Sequence, residues 1–75
     1  MTLDEFVKAF ASEFEETELE QFSPATNYRE LEEWSSLIAL SIISMIDDEE
    51  DKIITGADLR SCKTIEELYN LVQSK

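Results

Sequence analysis

The chain has no histidine, and it has one Cys, one Gly and one Pro. Without His it lacks the side chain best suited to general-base work near neutral pH and the usual anchor of transition-metal sites. Cys62 alone forms no internal disulfide, which fits a reducing compartment, and it has none of the partners that activate a thiol. It reads as a small buried filler. One Gly and one Pro leave few turn-formers for a many-stranded sheet and so favour helices. Bases are scarce too, six against eighteen acids, for a net charge of −12. That balance argues against nucleic acid, whose binding needs cations to displace phosphate counterions, and against an anionic membrane surface. Apolar runs are short. The longest, Leu37 to Ile46, falls far below the length of a bilayer span. No basic-then-apolar leader opens the chain, so no secretory signal is visible and a cytoplasmic location is expected.

What is present bounds the fold. Seventy-five residues make one small domain, and 43% hydrophobic content supports a core rather than disorder. A chain of this size buries only about 60% of its unfolded surface. The acids are unevenly placed: residues 1–52 hold fifteen acids and three bases, whereas residues 53–75 hold three of each. The negative field belongs to the first two-thirds of the chain. Such a field suits encounter with basic patches on partner proteins, the plainer reading being solubility alone.

Leu3, Phe6, Val7, Phe10, Ala11 and Phe14 recur at helical spacing and predict a first helix over about residues 3–15. Thr2 and Glu5 are placed to form a capping box at its start. Residues 16–34 lack a sustained period and contain the turn-rich Ser23-Pro24-Ala25-Thr26-Asn27, so a long loop is expected, pinned by Phe22, Tyr28, Leu31 and Trp34. A second helix should run from the serines at 35 and 36 to about Asp48. It is apolar on most of its circumference, with Ser41, Ser44 and Asp48 as one narrow polar stripe, so some exposed apolar surface is expected. Ile53 and Ile54 are expected to return to the core. Gly56 to Ser61 reads as a short helical turn. Thr64 and Glu67 form another capping-box pair before a last helix whose inner face is Ile65, Leu68, Tyr69, Leu71 and Val72. The expected fold is all-α, a small four-helix bundle of three longer helices and one short one, with a long loop between the first two.

Two patterns bear on chemistry. Asp47, Glu49 and Asp51 alternate as the opening of a calcium loop would, and Asp58 falls twelfth. However, the sixth position is Lys52 where the sharp turn wants Gly, and the twelfth wants Glu. The acidic run therefore reads as a solvated helix end, and no metal site is expected. The other pattern is WSSLIAL, Trp34 to Leu40. Ser35 fits the N-cap, where its oxygen accepts a backbone N–H. Ser36 then becomes the first helical residue, at the positive end of the helix dipole, where an esterified phosphate would meet free N–H groups.

Glu33-Trp34-Ser35-Ser36-Leu37, with the helix that follows, resembles the attachment region of acyl carrier proteins. In that family an Asp-Ser-Leu motif opens the second helix and the serine carries a 4′-phosphopantetheine arm. The resemblance extends to the loop FSPATNYRELEEW, the helix LIALSIISMIDDEE, the segment KIITGADL and the closing KTIEELYNLV. It implies that residues 1–75 form a single carrier-like domain with no catalytic residues of its own. Ser36 would be the attachment serine, loaded from coenzyme A by a magnesium-dependent phosphopantetheinyl transferase. Acyl thioesters would then be shown to synthase and transferase enzymes of fatty-acid, lipid or polyketide biosynthesis. Leu37, Leu40, Ile43, Ile46, Ile54, Leu59 and Leu68 are the positions at which an acyl chain would fold back among the helices. This chain departs from the family at Ser35, where Asp is usual, and at Ile38 and Ser41, where acids often greet basic partners. Partner enzymes are accordingly expected to meet Leu37, Ile38 and Met45 through apolar contacts, on a specialised pathway. The protein is expected to act as a monomer, and Met1 with a complete helix set points to a free-standing chain. Competing readings are an acidic interaction module of the same fold without an arm, and a calcium-responsive helical adaptor.

Overall fold

Thr2 opens the first helix as its spacing to Glu5 predicts. The Thr2 hydroxyl accepts from the Glu5 N–H at 3.2 Å, and the Glu5 carboxylate accepts from the Thr2 N–H at 2.8 Å. The computed structural model describes residues 1–75 and is all-helical, a small bundle without strands. Its four helices are α1 (Leu3–Ala11), α2 (Ser36–Glu50), α3 (Gly56–Ser61) and α4 (Ile65–Gln73). Two 3₁₀ turns, Leu19–Gln21 and Tyr28–Glu30, shape the long connection between α1 and α2. No helix is long and apolar enough to cross a membrane.

α1 is shorter than its apolar stripe, ending at Ala11 rather than near residue 15. The cause lies far along the chain. The Glu33 carboxylate accepts the N–H groups of Glu15, Glu16 and Thr17 at 2.8, 3.0 and 2.9 Å. These donors would otherwise bond back to carbonyls of a continuing helix. Phe14 stays buried because a tighter turn, with Phe14 N–H bonded to the Ala11 carbonyl at 3.0 Å, keeps it on the stripe.

α2 runs to Glu50, past the expected end at Asp48. Glu50 accepts from the N-terminal ammonium at 3.2 Å and from Gln73 at 3.0 Å, tying the end of α2 to both ends of the chain. Asp51 then stops the helix in the left-handed region, φ 53°. α3 and α4 each start with a capping box, Thr55 with Asp58 and Thr64 with Glu67. The loop before α2 also feeds α4: the Ile65 and Glu66 N–H groups bond the carbonyls of Thr26 and Pro24 at 3.2 and 2.9 Å.

α1 packs on α2 and α4, and α2 packs on α3. Sixteen residues form one core with no buried charge. Aromatic rings run through it in sequence. Tyr69 meets Phe6 at 5.4 Å, Phe10 meets Tyr28 at 5.4 Å, and Tyr28 meets Trp34 at 5.1 Å between centroids. Burying each such ring is worth about 1.5–3 kcal/mol. Ile53 differs from the expected return to the core, and Leu37 and Leu40 differ from the expected cavity lining while supplying the exposed apolar surface expected of α2. Ile53 is 75% exposed while Ile54 is buried, because the connecting segment is extended and alternate side chains face opposite ways. On α2, Ile42, Met45 and Ile46 point inward, so Leu37 and Leu40, on the other side of the helix, stand 75% and 62% exposed.

Candidate functional site

Trp34 fixes the approach to α2. It is half-buried against Tyr28 and Phe14, and its N–H bonds the Leu31 carbonyl at 3.0 Å. Ser35 follows in extended conformation and caps the helix, its Oγ accepting the Ile38 N–H at 3.3 Å and its carbonyl accepting the Ala39 N–H at 2.9 Å. Ser36 is then the first helical residue, fully at the surface, with its hydroxyl bonded to nothing in the chain. The two serines thus differ in kind: one hydroxyl is occupied by the helix start and the other is free. The first turn of α2 carries no acid, and the N–H groups of Ser36 and Leu37 point along the helix axis without intrahelical partners.

The ground on either side of this helix start is electrically unlike. A cleft of about 380 Å³ is lined by Ser35, Ser36, Trp34, Ala39, Gly56 and Leu59 together with Arg29 and Arg60. These are the chain's two arginines, and no acid lines the cleft with them. On the opposite side, a cleft of about 300 Å³ is lined by Glu13, Glu15, Glu33, Ser35, Leu37, Ile38 and Ser41. Ser35 borders both clefts, whereas Ser36 borders only the basic one.

Glu33 is not a free acid beside the serines. Burial works against its charge, but the Glu15 N–H, the Thr17 hydroxyl and the N–H groups of Glu16 and Thr17 outweigh that and hold its carboxyl below the ordinary 4.5. Tyr28 ties the two arginine-bearing segments together. It sits beside Arg29, is fully buried, and its hydroxyl donates to the Leu59 carbonyl at 2.6 Å and the Cys62 carbonyl at 3.1 Å, at the end of α3 that carries Arg60. Burial pushes its phenol far above its usual range, with the neighbouring Cys62 adding to the effect.

The other sequence-derived sites fare differently. The carboxylates of Asp47 to Asp51 do not gather into a group able to hold a metal ion. Of the seven apolar positions that the resemblance implies for an acyl chain, Ile46, Ile54, Leu59 and Leu68 are buried in the core and Ile43 packs against it, but Leu37 and Leu40 lie at the surface. Met45, expected among the docking residues, is buried, whereas Leu40 is exposed beside Leu37. Cys62 is buried at the end of α3. The sequence reading missed Arg29 and Arg60, whose approach is a consequence of the fold. The one signal for them was that the chain has no other arginine. A scan against protein-family models gives no match to the chain, and neither the curated proteins nor the solved structures give one.

Proposed function

We propose that this protein is an acyl-carrier-type domain that bears a 4′-phosphopantetheine arm on Ser36. The observation that carries the reading is the division between the serines, Ser35 held as the cap and Ser36 left exposed and unbonded at the head of α2. The residues around Ser36 suit a phosphodiester. Free N–H groups stand at the positive end of the helix, two guanidiniums line the adjoining cleft, and no acid occupies the first turn. When bound, the arm supplies a terminal thiol on which acyl groups are held as thioesters. The chain's own part in loading is to present the Ser36 oxygen. That oxygen would bond to the phosphorus of the arm as the phosphoanhydride bond of coenzyme A breaks and adenosine 3′,5′-bisphosphate leaves, its proton passing to the transferase. After loading, the domain orients the cargo and does no bond chemistry.

Partner enzymes on this reading include the phosphopantetheinyl transferase and acyl-processing synthases. The face they would meet combines exposed Leu37 and Leu40 with Asp47 and Asp48 further along α2. An apolar centre with a charged rim suits transient docking. The same face also fits an acidic interaction module without an arm, and mass separates the two. Incubation with coenzyme A, magnesium and a promiscuous transferase should add one arm mass to the parent chain and to Ser35→Ala, and none to Ser36→Ala. No addition to the parent under any transferase tried would leave the interaction module as the better reading.

A further inference from the structure

We infer that Arg29 and Arg60 form a clamp for the phosphate carried on Ser36, an inference that rests on the carrier reading only for the identity of that phosphate. In a chain with eighteen acids only two of the six side-chain cations are in ion pairs, Lys8 with Asp4 at 3.4 Å and Lys75 with Asp58 at 3.2 Å. Neither arginine is in an ion pair, and both line the single cleft that Ser36 borders. Their positions are built. Arg29 follows Tyr28 in its 3₁₀ turn, Arg60 follows Leu59 on α3, and the buried Tyr28–Leu59 hydrogen bond of 2.6 Å locks the two segments together. Arg60 also lies back along its own helix. A Cβ on Gly56 would come within 3.2 Å of its Nη1, so the glycine leaves the room that the guanidinium uses.

Charge decides which phosphate this cleft takes. A free anion approaches against a net charge of −12. A phosphate joined to Ser36 has already made that approach, and tethering gives it an effective concentration on the order of millimolar or more. The clamp therefore acts on a group attached in place and is poor at capturing one from solution.

The test uses the intact chain with phosphoserine incorporated at position 36, followed by ³¹P NMR. A phosphoserine monoester has its second pKa near about 6. Two guanidiniums lining the same cleft should lower it by about half a unit or more relative to the R29Q/R60Q variant, as expected for exposed charge pairs. Both arginines are exposed, so that variant should melt with the parent. The variant K8Q/K63Q, which removes two cations elsewhere, should keep the parent value. Equal pKa values for the parent and R29Q/R60Q would overturn the clamp, as would an equal rise in K8Q/K63Q. A second arm loads the unmodified chain from coenzyme A. If the arm attaches and the arginine Nε–H resonances move, both readings gain. If it attaches and they stay still, the clamp fails and the carrier stands. If nothing attaches but the phosphoserine pKa is lowered, the clamp stands and the carrier reading fails.

Discussion

Replacing Tyr28 with Phe removes one oxygen from the centre of the molecule and leaves its shape unchanged. The Tyr28 hydroxyl shares one proton between two carbonyls, Leu59 at 2.6 Å and Cys62 at 3.1 Å, and the tyrosine is 0% exposed, so no water takes over either bond. Both carbonyls close α3, a helix of six residues with little else to satisfy its end. A buried acceptor that loses its donor costs about 1–3 kcal/mol, whereas the removed hydroxyl leaves no orphan of its own. At this chain length each kcal/mol moves the melting temperature by about 4–8 °C, so Tyr28→Phe should melt roughly 4–24 °C lower. Urea denaturation at neutral pH measures the same loss directly. Alkaline pH supplies an independent check. The folded phenol is raised above its ordinary 10.0, so the stability it contributes is complete below that value. As pH rises from 10.0 toward the folded value, the unfolded chain loses the proton and the folded chain keeps it. The parent should therefore lose about 1.4 kcal/mol per pH unit relative to Tyr28→Phe in that window. A variant that melts within about 3 °C of the parent, with a parallel alkaline profile, would refute the role assigned to this hydroxyl.

Glu33→Gln should lower stability at neutral pH by replacing one acceptor of the triple N–H nest with a donor. Since the folded carboxyl lies below 4.5, the difference from the parent should be full above that pH and close as pH falls through the folded value. A gap that persists unchanged at low pH would show that the charge is irrelevant. Asp51→Gly should stabilise by about 0.5–1 kcal/mol by relieving the positive φ, while Asp51→Ala should not, and equal gains from both in thermal melts would assign the effect to charge repulsion instead. Leu40→Ala should leave stability within about 0.5 kcal/mol because the side chain is 62% exposed. If α2 is the docking face, the same change should raise the KM of an acyl-processing enzyme for the loaded carrier about tenfold, the worth of about 1.4 kcal/mol of lost burial. An unchanged KM would move docking elsewhere.

What was legible in the sequence follows from how local each feature is. The stripe from Leu3 to Phe14, the capping pairs at Thr2 and Thr64, and the cap at Ser35 all depend on residues within a few positions of one another, and each forms as its spacing predicts. The end of α1 was not legible, because it is set by a carboxylate eighteen residues beyond Glu15. Nor was the orientation of α2, which is apolar nearly all round. Only packing against α1 and α3 decides that Met45 turns inward and Leu40 outward. The arginine cleft was hidden for the same reason: a tyrosine hydroxyl bonding two carbonyls more than thirty residues away brings its walls together.

If Ser36 bears the arm, the residue before it gains a physical meaning from this geometry. Acyl carrier proteins usually have Asp there, and this chain has Ser35. As a cap the two are about equal, so helix stability does not explain the difference. Position 35, however, borders the arginine cleft as well as the acidic one. A carboxylate there would border the same cleft as the two arginines and would compete with a phosphate on Ser36 for them. A neutral cap leaves the pair free. On the carrier reading, the neutral residue at position 35 and the two arginines are one arrangement that would favour a phosphate on Ser36. The acids that remain close by are either bound, as Glu33 is by three N–H groups and a hydroxyl, or displaced to the far side of the helix start, as Glu13 and Glu15 are.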